Sequence, residues 1–261
     1  MNHQHILYQV EEGVATLTLN RPESLNAFND AMIAETAEAL RGAAREAAVR
    51  SLVLTGSGRA FSSGQDLKEV QARGEAFSIG DHLRAGYNRL VSAIVSLEKP
   101  VIAAVNGVAA GAGCGLALAA DLRIASDRAV FIQAFSRVGL IPDSGSTWTL
   151  PRLIGYARAF EMAITGDKVS AEQALAWGLV NQIVPHDQLG EVVTAWALQL
   201  ASGPTLAYGL TKRAMRRAAT SSLEEALAYE AQLQEIAGRS ADSREGVRAF
   251  VEKREAVFRG R

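Results

Sequence analysis

Cysteine occurs once in the 261 residues, at Cys114, which excludes an internal disulfide and any cysteine-rich metal site. The four histidines, His3, His5, His82 and His186, lack metal-ligand spacing on a helical face and read as solvated loop or terminal residues. No apolar run reaches the roughly 18 residues that a membrane span requires. Excess charge of either sign is missing too. With 27 Lys and Arg against 28 Asp and Glu, the formal net charge is -1, so nothing points to nucleic acid or an anionic membrane as a partner. The opening Met1-Asn-His-Gln-His lacks the basic start and apolar core of a secretory leader, and a cytoplasmic protein is expected. Low-complexity tracts and long linkers are absent. The remaining composition, 48% hydrophobic and 21% charged, suits one sizeable core, or a main domain with a small appendage.

Hydrophobic periodicity supplies the order of elements. Two strands open the chain, near Ile6 to Val10 and Val14 to Leu19, and a helix follows from about Asn29 to Ala47, with Ile33, Ala37, Leu40 and Ala44 marking its buried face. A strand at Leu52 to Leu54, a helix near Asp81 to Leu97 and a strand at Val101 to Val105 continue the alternation, which implies parallel strands with right-handed crossovers. Composition shifts near Gly203-Pro204. Beyond it only helical patterns remain, at about Thr205 to Ala219, Leu223 to Ala237 and Ser243 to Val257.

Two segments carry ligand-binding character. In Val101-Ile-Ala-Ala-Val-Asn106-Gly107-Val-Ala-Ala-Gly111-Ala112-Gly113-Cys114-Gly115-Leu116 an uncharged strand runs through small residues into a helix whose first N–H groups lack intrahelical partners. Those groups and the positive end of the helix dipole favour negative charge. A dinucleotide fingerprint is not met, since Leu116 stands where its third glycine belongs. Close helix-on-strand packing is the alternative reading. The second segment, the strand Ser51 to Thr55 followed by Gly56-Ser-Gly-Arg-Ala-Phe-Ser-Ser63-Gly64-Gln65-Asp66-Leu67, offers backbone donors at another strand end. Cys114, between two glycines at a helix start, is either a packed small residue or an activated thiolate.

These segments resemble the enoyl-CoA hydratase/isomerase (crotonase) superfamily over nearly the whole chain. The resemblance rests on Asn20-Arg21-Pro22-Glu23-Ser24-Leu25-Asn26-Ala27, on Ala60-Phe-Ser-Ser63-Gly64-Gln65-Asp66-Leu67, on Lys99-Pro100 to Gly107 with the Gly/Ala run, on Asp121-Leu-Arg-Ile-Ala-Ser126 and on Gly139-Leu-Ile-Pro142-Asp143. It implies an α/β fold, the crotonase (ClpP-like) spiral of ββα repeats. Residues 1–203 would form the core and 204–261 a helical region that trimerises, giving a homotrimer or a dimer of trimers. It also implies an acyl-CoA thioester as partner and substrate, with coenzyme A as part of that substrate and no covalently bound cofactor. The amides of Gln65 and Ala112 would form the oxyanion hole, where fixed dipoles stabilise the charge that appears on the thioester oxygen when the neighbouring carbon loses a proton.

The acid and base groups separate the possible reactions. Hydratases of the family use two glutamates, at the positions of Gly115 and Phe135 here, so simple hydration is disfavoured. A carboxylate remains at Asp143 in Leu140-Ile-Pro-Asp-Ser-Gly-Ser-Thr-Trp148. The P-D-x-G-x-T-W pattern looks most like the ring-1,2-epoxyphenylacetyl-CoA isomerases of phenylacetate breakdown. One carboxylate suffices to take a proton from C2 and return it elsewhere on the delocalised anion. An aspartate with a reference pKa of about 3.9 needs its value raised for that work; Ile141, Phe135 and Trp148 are the apolar neighbours expected to do so. The alternative is that Asp143 or Ser144 caps the helix beginning near Gly145.

The resemblance also implies a substrate contour. Ser24 and Ala27 belong to a loop that wraps the CoA by backbone contacts, although Glu23 stands where some relatives place lysine. Ser63, Gly64, Asp66, Leu67 and Gly111, with Phe135 and Trp148, would belong to the substrate-binding residues. Phe250 and Lys253 fall near the adenine and phosphates, across a subunit boundary; an ordinary amphipathic face is the alternative. Lys212, Arg213, Arg216 and Arg217 form a basic cluster that acidic residues after Leu223 offset, so RNA binding is not expected. The reading is an acyl-CoA isomerase acting on ring-1,2-epoxyphenylacetyl-CoA or a 3-enoyl-CoA. The alternatives are an enoyl-CoA hydratase of fatty-acid β-oxidation and a non-catalytic acyl-CoA or RNA-binding scaffold.

Overall fold

The strand–strand–helix order of the chain winds it into two sheets. In the computed structural model, residues 3–72, 74 and 77–261 are described. Met1 and Asn2 of the segment read for a leader, and Arg73, Glu75 and Ala76, lie outside the described residues. Strands β1 (Ile6–Glu11), β2 (Val14–Leu19), β3 (Ser51–Gly56), β5 (Val101–Val105), β7 (Leu122–Ser126) and β10 (Gln182–Val184) form one sheet in the order β1-β2-β3-β5-β7-β10. Strands β4 (Ala60–Ser62), β6 (Val108–Ala110), β8 (Val130–Ile132) and β9 (Lys168–Ser170) form the second, in the order β4-β6-β8-β9. Each of β3, β5 and β7 thus hands the chain to a short strand of the other sheet, and a helical segment follows. Three successive ββα repeats stack in this way, with β3-β5-β7 and β4-β6-β8 each paired in parallel. This is the crotonase spiral. The Val101-to-Leu116 segment therefore holds two strands where one was expected, because Asn106 and Gly107 turn the chain from the first sheet into the second.

Alternation of side chains across the strands divides the apolar residues between two layers. Val53, Ile102, Ala104 and Ile124 face helix α9 (Leu189–Ser202), packing on Val193, Ala197 and Ala201. Leu52, Leu54, Val101, Ala103 and Val105 point the other way, into the larger core with Leu40, Leu90 and Leu116. Both faces of the central strands are covered, and a slip of one residue would exchange the two sets, so the register Leu52↔Val101 and Ile102↔Leu122 is strongly specified. Helix α5 (Ala112–Ala119) is buried at every position, which explains why it carries only small and aliphatic residues.

Three expectations are corrected. Helix α1 (Asp30–Arg45) buries Met32, Ile33, Thr36, Ala39, Leu40 and Ala43, so its inward face is rotated and Ala44 is exposed. The single helix expected from Asp81 to Leu97 is two, α3 (Ile79–Ala85) and α4 (Tyr87–Ser96), broken at Gly86. A Cβ at Gly86 would stand 3.1 Å from His82 O and 3.2 Å from Ile33 Cγ2, so the glycine lets the bend close against α1. After α2 (Leu67–Ala72), α6 (Ser146–Ile154), α7 (Tyr156–Thr165) and α8 (Ala171–Trp177), the tail comprises α10 (Thr205–Ala218), α11 (Leu223–Gly238) and α12 (Ala241–Glu252). Helix α12 stops short of Val257 because Lys253 takes a left-handed conformation, φ 55°. The chain then folds back, and the Asp242 carboxylate accepts from the amides of Arg259 (2.6 Å) and Gly260 (2.7 Å). No helix among the described residues is long and apolar enough to cross a membrane.

Candidate active site

The two glycine-rich segments meet at the ends of β4 and β6. Both turns need positive φ, +92° at Gly64 and +52° at Gly111, a region that glycine enters without penalty. A Cβ on Gly64 would lie 2.8 Å from Ala110 O and 3.3 Å from Ala112 N, so the Gly64 turn touches the start of α5 and no larger residue fits there. Ala112 opens α5, and the preceding Gly111 supplies no side-chain cap. Gln65 pairs with Phe28 as an isolated parallel bridge in which the Phe28 amide donates to Gly64 O (2.7 Å) and the Asp66 amide donates to Phe28 O (2.9 Å). That pattern turns the Gln65 N–H to the side opposite Phe28. The amides of Gln65 and Ala112 thus belong to two turns in van der Waals contact.

The turn is stitched to the loop before α1. Arg21 donates to Ala27 O (2.6 Å) and to Asp66 Oδ2 (3.1 Å), while Asn26 Nδ2 donates to Ser57 O (2.9 Å) and Ala60 O (2.8 Å). Ser63 Oγ donates to Ser24 O (3.2 Å), and its amide donates to Leu25 O (2.9 Å). Ser24, Ala27, Ser63, Gly64 and Asp66 are therefore brought together with Gly111 and Ala112, and Leu67 stands exposed just beyond them. Phe250 and Lys253 are not gathered into this cluster. Phe250 stands on α12 and Lys253 directly after it; α12 packs on α11 and on the closing segment, and Phe250 is 86% exposed.

Asp143 lies in the turn before α6. That helix is capped by Gly145 with no side-chain hydrogen bond, so neither Asp143 nor Ser144 serves as its cap. Ser144 instead donates its hydroxyl to Asp143 Oδ1 at 2.7 Å. Burial pushes the Asp143 carboxyl above the ordinary carboxylate range, and the Ser144 hydroxyl and nearby His82 pull it part of the way back. The expected apolar cover is only partly present. Phe135 is buried against Gly111, but Ile141 is 79% exposed, and Trp148 is 42% exposed with the Arg152 guanidinium 4.2 Å from its ring centre. The turn packs inward through other residues: a Cβ at Gly115 would meet Ser144 O at 2.7 Å, and one at Gly145 would meet Val91 Cγ1 at 3.0 Å.

Sequence reasoning missed two neighbours. His82, expected in solvent, has only 11% of its side chain exposed, and its ring lies 5.7 Å from that of the fully enclosed Tyr87. The Tyr87 hydroxyl is pushed up by burial and then by the charge of Asp143. A tyrosine at helical spacing with Leu90 and Ile94 was the available signal, since a hydroxyl on a buried stripe needs a partner. His186 is also not free in solvent; its Nδ1 lies 3.1 Å from Ser126 Oγ. Burial pushes the Cys114 thiol up to about 12, which fits the packing reading and not a thiolate. Among the described residues no cluster of three or more metal-ligating side chains occurs.

Ser144 sits at φ +50°, so Ser144→Gly removes its hydroxyl without straining the turn. A hydrogen bond to the charged carboxylate favours ionisation, and its loss raises the Asp143 pKa further. The Asp143 carboxyl is expected to titrate at higher pH in Ser144→Gly than in the parent, followed through its side-chain carbon resonance by NMR; an unchanged or lower midpoint would show that the Ser144 hydroxyl does not favour the charged carboxylate.

Comparison with known proteins agrees with this architecture. A family model described as enoyl-CoA hydratase/isomerase matches residues 9–261. The 1,2-epoxyphenylacetyl-CoA isomerase of Escherichia coli (strain K12) is 50% identical over 260 residues, covering 99% of each chain. A protein named "probable enoyl-CoA hydratase" from Rhodobacter capsulatus is 49% identical over 261 residues, covering 100% of each. The crystal structure of an enoyl-CoA hydratase from Bacillus anthracis superposes with a TM-score of 0.92 at 34% identity, covering 99% of this chain and 100% of that one. With this match along almost its full length, the chain belongs to the enoyl-CoA hydratase/isomerase family.

Proposed function

We propose that this chain is an acyl-CoA isomerase in which the amides of Gln65 and Ala112 hold the thioester oxygen of an enolate and Asp143 moves the proton. The approach of the Gly64 turn to the first amide of α5, 3.3 Å from a Cβ position to a nitrogen, carries the reading, because it sets two backbone donors from separate turns side by side. Donors of this kind need no reorganisation as charge develops, and loss of one costs about 100- to 1000-fold in other enzymes. The carboxyl of Asp143 is raised toward the working range of a base by its burial. A proton leaves C2 to Asp143, the electron pair passes to the thioester oxygen, and the Asp143 carboxylic acid, whose proton exchanges with solvent, returns one proton at another carbon of the conjugated anion, so atoms and charge balance without addition of water.

The substrate favoured by the 50% identical isomerase is ring-1,2-epoxyphenylacetyl-CoA, with double-bond shift in a 3-enoyl-CoA as the simpler reaction of the same site. The hydratase reading draws on the Rhodobacter relative. It is disfavoured because Gly115 and Phe135 replace both carboxylates, and the space that a glutamate side chain at position 115 would need is filled by Ser144. Residues 1–203 would form the catalytic core and 204–261 the oligomerising region. Ser24 and Ala27 would meet the CoA, and Phe250 and Lys253 would reach the adenine and phosphates of a neighbouring subunit in a trimer. Their exposure within one chain suits that role.

The test is conversion of a 3-enoyl-CoA to its 2-enoyl isomer, followed by ultraviolet absorbance, together with exchange of C2 hydrogen in deuterated water and turnover of the aromatic epoxide. Isomer formation with solvent label is expected. Binding of acyl-CoA without exchange would establish a silent scaffold, and addition of water to a 2-enoyl-CoA would restore the hydratase reading.

A further inference from the structure

The side chain of Gln65 has no part in an oxyanion hole built from backbone, yet it is held at both ends. Its Nε2 donates to Phe28 O at 3.1 Å, and a carbonyl accepts only, so the amide orientation is fixed. Oε1 therefore faces inward. It lies 2.8 Å from the Tyr87 hydroxyl and 2.8 Å from His82 Nε2, and being an acceptor it makes both of them donors. The Tyr87 ring is wedged edge-on against Phe28, 5.8 Å between centres at 73°, which holds the hydroxyl in place.

We infer that Tyr87 and His82 are positioning residues for the oxyanion hole, acting through the Gln65 side chain to fix the direction of the Gln65 N–H. The inference rests on the isomerase reading given above. Phe28 closes the frame: it accepts from the Gln65 side chain and from the Asp66 amide, and donates to Gly64 O, so the peptide unit between Gly64 and Gln65 is clamped on both sides. The protein buries a tyrosine hydroxyl for this purpose, and burying that group costs free energy unless a partner meets it. Any residue would provide the backbone N–H; only an amide side chain of this length both donates to Phe28 O and accepts from two donors. Tyr87 and His82 come from α4 and α3, on either side of the bend at Gly86, so the bend sets the angle at which both reach Oε1.

The test is steady-state kinetics of isomerisation in Gln65→Met, Tyr87→Phe and the double variant, with thermal unfolding to confirm that each folds. Misplacement of a reacting group by about 1 Å can cost about 100-fold, so a fall in kcat of about 10- to 100-fold is expected for Gln65→Met, with KM little changed. The double variant is expected to be no slower than Gln65→Met, because Tyr87 has nothing left to act through. Wild-type kcat in Gln65→Met, or losses that multiply in the double variant, would overturn the inference while Asp143-dependent turnover leaves the isomerase reading standing. A parent protein that exchanges no C2 hydrogen would overturn both. If Tyr87→Phe does not fold, the kcat and KM of Gln65→Met alone decide.

Discussion

Asp143→Asn is expected to abolish isomerisation and to yield a more heat-stable protein. General acid–base groups contribute about 100- to 10,000-fold to rate, and no second carboxylate of the hydratase pattern stands at Gly115 or Phe135 to replace this one. The gain in stability follows from the direction of the pKa shift. Burial raises the folded-state value of Asp143 above that of an unfolded aspartate, so the folded protein holds this proton more tightly than the unfolded chain does. As pH rises from the unfolded value near 4 through the higher folded value, stability falls, and at neutral pH the full cost of an ionised, partly desolvated carboxylate is present. Asparagine keeps the shape and still offers Oδ1 to the Ser144 hydroxyl, but carries no charge. The Tm of Asp143→Asn should exceed that of the parent at pH 8, and the gap should close as pH falls below about 4. A variant of lower Tm at pH 8, or a gap that does not change with pH, would show that the carboxylate is not strained by its surroundings. Retained turnover would remove Asp143 from the reaction.

The same residue shows what was legible in the chain and what was not. Asp143 stood out because the segments matching the family's motifs precede it in order, and Gly64 and Gly111 stood out because small residues at strand ends announce turns. Periodicity marks β3 and β5 as short apolar strands and implies their parallel alternation, but the spiral itself comes from the resemblance, and β7 was not legible as a strand because Arg123 interrupts its apolar run. The surroundings of Asp143 were not readable. Ile141 and Trp148 are its neighbours in sequence but lie exposed, whereas His82 and Tyr87, about sixty residues earlier and on either side of the bend at Gly86, are the groups electrostatically linked to it. A glycine inside an apolar helical pattern is compatible with a straight helix, so only the packing of α3 and α4 against Ile33 and Gln65 decides that the helix breaks. The inward face of α1 was rotated for a related reason: alanines mark a stripe weakly, and Met32 and Thr36 lie on the buried side.

Gly115→Glu restores one carboxylate of the hydratase pattern, yet it is expected to lower isomerase activity without creating hydration. Position 115 lies one turn into a helix buried on all sides, and a Cβ there would stand 2.7 Å from Ser144 O, 2.8 Å from Ser144 Cβ and 3.0 Å from Ser146 Oγ. Two of these atoms belong to a residue held at φ +50°, which has little freedom to yield. The Asp143–Ser144 turn must therefore be displaced, and overpacking of this kind costs about 1–3 kcal/mol before any charge is considered. The added carboxylate would also be buried beside an aspartate whose pKa is already raised, and like charges in one site push both carboxyls toward the neutral form. Hydration needs two ionisable groups on a positioned water, and the second family position is filled by the ring of Phe135, packed against Gly111. The expected outcome is a lower Tm, a loss of isomerisation of about tenfold or more from the misplaced Asp143, and no water addition to a 2-enoyl-CoA. Hydration by Gly115→Glu would mean that the turn before α6 relocates freely, and that the identity of residue 115 alone chooses between the two reactions.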